Sequence, residues 1–153
     1  MGLSASRVQI ERLTEVPPGL FDPLVTESES AGYRLVRRLA DEWASGENRF
    51  DRPGEVLFAA WMDGRLIGAC GLNVDPYTKA GGVGRVRHLY VLSAYRRLGV
   101  GGQLVGRVVD AARGRFGRLR LSTRNPEAAR LYEQMGFARS AGAPDHTHVL
   151  ELR

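Results

Sequence analysis

The stretch "LYVLSAYRRLGVGGQLV", Leu89 to Val105, joins three signals within one short length of chain. An apolar run reads as a strand and breaks at Ser93; Arg96 and Arg97 follow, and Gly99, Gly101 and Gly102 stand where a helical pattern begins. Val100, Leu104, Val108, Ala112 and Phe116 recur every four residues with Val105 and Val109 beside them, so the spacing predicts a helix with one buried stripe. The first N–H groups of a helix lack intrahelical acceptors and lie at the positive end of its dipole, which makes such a turn an anion site. Glycines let an oxygen-rich ligand approach the backbone, and the planar fork of arginine suits phosphate. The turn therefore predicts a phosphate or pyrophosphate ligand. A nucleotide P-loop is excluded because no lysine with Ser or Thr follows the glycines, and Leu104 stands where a dinucleotide fingerprint needs its third glycine.

On the N-terminal side, "SRVQIERL" reads as a strand ended by Pro17 and Pro18, Leu20 to Val25 as a short helical turn, and Tyr33 to Trp43 as a helix. Two apolar runs, Glu55 to Met62 and Arg65 to Leu72, flank Asp63-Gly64, a dipeptide that tolerates positive φ at both positions and so predicts a hairpin. Asn73 to Gly84 reads as a loop and Arg85 to Leu92 as a strand. Leu119 to Thr123 is a short strand. "NPEAARLYEQMGF" then has Asn125 as N-cap, Pro126 in the first helical position, and Gly136 as the stop. "HTHVLELR" closes the chain with strand-like alternation. A hairpin leading into strand-helix-strand argues a mixed sheet with helices on its faces.

The 153 residues suit one domain, spanning 1–153, and the single cysteine, Cys70, excludes an internal disulfide. No cluster of cysteines and histidines has metal-site spacing, and no run approaches the roughly 20 apolar residues that span a bilayer. A cytoplasmic protein without membrane partners is the expectation. Charge is uneven: eleven arginines stand from Arg85 to Arg130 against Asp110 and Glu127, a local charge of +9, whereas residues 1–84 carry −3. Such a field attracts polyanions. It leaves open a phosphorylated ligand or nucleic acid, although no nucleic-acid recognition motif or interleaved aromatics accompany it, so no specific nucleic acid is expected.

"RRLGVG", Arg96 to Gly101, resembles the [QR]xxGx[GA] signature of the GNAT superfamily, the acyl-CoA-dependent N-acyltransferases, and "NPEAARLYEQMGF" resembles that family's second motif. The resemblance runs closely from Val83 to Phe137. It implies a GNAT-like mixed α/β fold, a mostly antiparallel sheet of about six to seven strands, splayed at its central pair, with helices on both faces. It further implies transfer of an acetyl group from acetyl-CoA to the primary amine of a small molecule or protein. Backbone groups of Leu89, Tyr90 and Val91 would pair with the pantetheine arm, and the amides of Arg96, Arg97, Leu98, Gly99, Val100, Gly101 and Gly102 would hold the pyrophosphate. Asn125 would contact the arm. Tyr132 would protonate the leaving sulfur, and a bulky residue at Gly101 would block the backbone approach.

The base is not marked, because Arg85, Arg87 and Arg120 occupy the strands where some relatives carry a glutamate. Strict alternation points His88 with Val86 and Tyr90, as a core histidine away from Leu89 and Val91, and a bulge would reverse that. A water chain is the other route for the proton. His146 and His148 share one face of the last strand and either line the acceptor pocket or, as the leading reading, sit on a solvated edge; Cys70 reads as a small core residue, and Glu42, Asp51 and Asp75 as surface carboxylates that could meet an ammonium group. Trp43 and Trp61 either wall the pocket or fill the core. Both predicted N-terminal helices and the loop at 73–84 should shape the acceptor side. An idle acyl-CoA-binding sensor is the alternative function, and a homodimer is left open.

Overall fold

The structure is a computed structural model that describes residues 7–152. Its elements in chain order are β1 (Gln9–Arg12), α1 (Asp22–Ser30), α2 (Leu35–Ser45), β2 (Val56–Met62), β3 (Arg65–Val74) and β4 (Val83–Val91), followed by α3 (Val100–Ala112), β5 (Arg118–Leu121), α4 (Pro126–Gln134), β6 (Ala138–Arg139) and β7 (His148–Glu151). The strands form one sheet in the order β1-β2-β3-β4-β5-β7-β6. Every pairing is antiparallel except β4 with β5.

That parallel pair is short. It joins Val83, Gly84 and Arg85 to Arg118, Leu119 and Arg120, and beyond Arg85 the two strands part. The expected splay is therefore present, and β4 from Val86 onward keeps only β3 as a partner. The hairpin between β2 and β3 turns on Asp63 (φ 51) and Gly64 (φ 77), the double positive φ of a type I′ turn.

Two apolar clusters pack on opposite faces of the sheet. On one, Val100, Leu104, Val105 and Val108 of α3 and Tyr132 of α4 meet Val86 and Val91. On the other, Leu24 and Val25 of α1 and Val36 and Leu39 of α2 meet Leu57, Ala69 and Tyr90. Trp43 and Trp61 pack against the second cluster rather than walling the cleft, and Cys70 is fully buried, its thiol pushed up to about 12 by desolvation.

Several boundaries differ from the sequence reading. The four-residue stripe counted to Phe116 outruns the helix, which stops at Ala112 just before the glycines Gly114 and Gly117 that the sequence offers as its end: Arg113 turns extended, Gly114 takes φ 82, and Phe116 joins the core from the following turn. The loop is shorter than 73–84, since Asn73 and Val74 remain paired with Arg85 and Gly84, and Glu55 accepts the Val74 N–H at 2.9 Å. The turn at 20–25 is the start of a full helix, α1. His148 is 1% exposed, with Nε2 2.8 Å from Glu133, so it is a buried strut between β7 and α4 and not a solvated edge.

β4 also breaks alternation. Ala69 pairs with Tyr90 and Gly71 with Arg87, so His88 and Leu89 together face Cys70, and His88 takes φ 63. This is a bulge. His88 shares the face of Tyr90, as alternation predicts, and its Nδ1 donates to the Leu35 carbonyl at 2.8 Å; the bulge parts both from Val86, which lies in the opposite cluster. The Phe50 ring packs edge-on to His88, at 6.3 Å between centroids. A Cβ on Gly71 would lie 2.5 Å from Phe50 Cε1. Gly71→Ala is therefore expected to destabilise the fold by about 1–3 kcal/mol through overpacking, read from urea unfolding.

Candidate active site

Where β4 leaves β5, a cleft of about 530 Å³ opens. Its walls include Val86, His88, Leu89 and Tyr90 of β4, Asn125, Ala128 and Tyr132 from the start and middle of α4, and Tyr33, Leu35 and Arg38 at the head of α2. Tyr77 from the loop after β3 completes one side. The α2 region and that loop thus stand where the acceptor side was expected.

The backbone of β4 supplies the cleft's edge. Leu92 N–H donates to Ile67 O at 2.8 Å, and alternation along an antiparallel pair then aims Tyr90 at β3 and Val91 at the gap. Consistent with this, the Val91 carbonyl accepts Arg96 Nε at 2.9 Å. Of the three residues expected to meet a ligand strand, Val91 faces the gap by this alternation and Leu89, in the bulge, lines the cleft, whereas Tyr90 is paired with Ala69 of β3.

At the end of this edge lies the glycine turn. Gly99 is the N-cap of α3 with φ 78, no side chain caps the helix, and a Cβ on Gly99 would meet nothing within 4 Å. The uncapped N–H groups of the first turn and the open space beside Gly99 fit an anion such as a pyrophosphate. Gly101 serves differently. Its Cβ would fall 2.9 Å from Leu131 Cδ2, so this glycine lets α3 approach α4.

Arg96 is also less available than its motif suggests. It lies over the Tyr90 ring at 5.2 Å and 3.8 Å from Glu27, besides capping Val91. Arg97 is exposed, with φ 68.

Glu27, on α1, escaped the sequence reading. Its carboxylate accepts Tyr90 Oη at 2.6 Å, Ser93 N at 2.8 Å and Ser93 Oγ at 3.0 Å, pinning the turn that leads into α3. Burial would raise its pKa, but the bonds from Tyr90 and Ser93 and the charge of Arg96 outweigh that and hold it below the usual carboxylate range. The same contact, with burial, pushes Tyr90 up to about 12. No sequence pattern links positions 66 residues apart.

Asn125 caps α4 as expected, Oδ1 accepting Glu127 N at 2.9 Å and Ala128 N at 3.4 Å. Tyr132 is 5% exposed, lines the cleft and packs edge-on to Phe137, and desolvation, with Cys70 nearby, raises its phenol well above 10. His88 is neutral, since burial lowers it to about 3. Asp75 is not a surface carboxylate: it is buried beside Arg85 and Arg120, at 3.5 and 3.8 Å.

The family model for the acetyltransferase (GNAT) family matches residues 23–137, from α1 through the end of the α4 motif. The chain belongs to the GNAT family. Among solved structures, this GNAT chain is similar to a candidate acetyltransferase from Exiguobacterium sp. 255-15, at 27% identity and a TM-score of 0.83 over 94% of this chain and 93% of that one. The fold is shared with the GNAT N-acetyltransferase YhbS of Escherichia coli in complex with CoA (21% identity, TM-score 0.68, 96% and 82% covered). It is shared too with N-acetylglutamate synthase of Neisseria gonorrhoeae, complexed with coenzyme A and N-acetyl-glutamate (19%, 0.71), where this chain covers 95% of itself but 35% of that protein.

Two outcomes test the site. Glu27→Ala should raise the KM for acetyl-CoA about fivefold, the equivalent of one net hydrogen bond of about 1 kcal/mol, with Glu27→Gln milder. Because the folded pKa of Glu27 is depressed, the clamp's contribution holds above the usual carboxylate range and fades as pH falls through the lowered value. Gly101→Ala should weaken CoA binding by displacing α4, and Leu131→Ala in the same chain should restore it; calorimetry with CoA reads both.

Proposed function

We propose that this protein, as a single domain, transfers an acetyl group from acetyl-CoA to a primary amine by direct attack. The observation that carries the reading is the cleft itself: the edge of β4 left unpaired beyond Arg85 and Asn125 and Tyr132 of α4 border one opening, and the turn that follows β4 leads to the uncapped start of α3. Bound acetyl-CoA would supply an activated carbonyl, so that an N–C bond forms as C–S breaks, the amine loses one proton and sulfur gains one.

Backbone groups of Leu89 and Val91 would add the pantetheine arm as a further strand. The amides from Arg96 to Gly102 would hold the pyrophosphate, with Arg97 beside it. Asn125 spends Oδ1 on its cap, which leaves its NH₂ for the arm. The Val91 N–H, turned to the gap, is placed to stabilise developing oxyanion charge.

Tyr132 is the proton donor to sulfur. Its raised pKa keeps the phenol protonated at neutral pH. His88, neutral to about pH 3, does not retain a proton, which leaves water to carry the amine's proton out.

Tyr132→Phe keeps ring packing and removes only the hydroxyl, so CoA affinity should hold while the single-turnover rate falls 10²- to 10⁴-fold, the usual span for general acid catalysis. Full activity of the folded variant would return Tyr132 to the core. CoA binding without thiol release on any amine would indicate an idle binding module instead.

A further inference from the structure

Resting on the acetyl-transfer reading, we propose that the acceptor is a small amine that also carries a carboxylate, an amino acid or similar amino-carboxylate, and that Arg38 and Arg124 hold that carboxylate.

The cleft is lined by Arg34, Arg38, Arg85, Arg87 and Arg124, against one carboxylate, Asp145, which is engaged by His146 at 2.7 Å. Two of the five are balanced from behind, Arg85 by Asp75 at 3.5 Å and Arg87 by Glu42 at 3.8 Å. Arg38 of α2 and Arg124, just before α4, have no carboxylate partner among the described residues. Deeper in, Arg85 is 7% exposed and its Nη1 lacks a hydrogen-bond acceptor. Arg34, Arg38 and Arg124 are exposed at the rim and Arg85 is buried below them; guanidinium groups that exceed their counter-charges around one cleft attract an anion and repel a cation.

This field separates amine classes. A polyamine or aminoglycoside brings several positive charges into a positive cleft. An amino acid brings a carboxylate that answers the field, and nearby positive charge lowers the pKa of its ammonium group, favouring the neutral nucleophile. The arginines thus do part of what a base would do, in a cleft whose histidine is held neutral. The volume, about 530 Å³ for acceptor and thioester end together, suits a small acceptor.

The test is thiol release by the full chain with acetyl-CoA, across amino acids, their decarboxylated amines, their methyl esters, polyamines and amino-phosphates. Amino acids should exceed their matched amines and esters at least tenfold in kcat/KM. Arg38→Gln should raise the amino-acid KM about tenfold, the worth of one charge-assisted hydrogen bond, leave the acetyl-CoA KM unchanged, and recover in part as Arg38→Lys. Equal or better turnover of matched amines, polyamines or amino-phosphates overturns the proposal, as does an Arg38→Gln effect that is the same with and without the carboxylate. If no amine is acetylated, the acetyl-transfer reading fails by itself. Calorimetry of the CoA-saturated chain then decides between N-acetyl amino acids and N-acetyl amines: carboxylate-dependent binding sustains the proposal, and its absence overturns it.

Discussion

Opposite Cys70, β4 carries two residues where β3 has one, and the change of phase sorts every later side chain of the strand. His88 and Tyr90 are sent toward α1 and α2, Leu89 and Val91 toward α3 and α4. The same stretch has already lost β5, whose pairing stops at Arg85. A strand interior with unsatisfied backbone groups would be costly if buried dry, so the opening persists only as a place for water or a ligand. The cap of α4 and the Tyr132 ring border that opening, and the turn after β4 carries the chain on to the uncapped start of α3.

Much of this was legible because it rests on local rules. Asp63-Gly64 names its turn, Asn125-Pro126 names the start of α4, and the four-residue recurrence from Val100 names α3. What escaped depends on contacts between distant segments. The His88 bulge has no marker, since nothing local demands positive φ at a histidine; strict alternation therefore put His88 beside Val86. Gly101 looked like a ligand-facing glycine, but its partner is Leu131, thirty positions away and on another helix. His148 was read as exposed because an edge strand usually is, whereas short β6 covers that side and Glu133 takes its Nε2.

The arginine-rich half of the chain reads differently once folded. Arg118 pairs with Glu151, Arg96 with Glu27, and Arg107 lies over Phe58. Arg85 is buried against Asp75 and stacks with Tyr77 at 4.5 Å. Arg85 is thus the one buried member of the group, whereas Arg97, Arg107, Arg113, Arg115, Arg118, Arg124 and Arg130 stay exposed.

The carboxylate of Glu27 fastens α1, which packs beside the cleft-lining α2, to the turn that leads into α3. The two halves of the cleft are consequently not interchangeable parts. A chimaera that imported a relative's N-terminal helices to change amine preference would also exchange this fastening, and unless the graft supplied an acidic side chain at position 27 it would loosen the donor half. Diversification of the acceptor side in such a scaffold is thereby steered toward α2 and the loop after β3, which line the cleft without holding the turn.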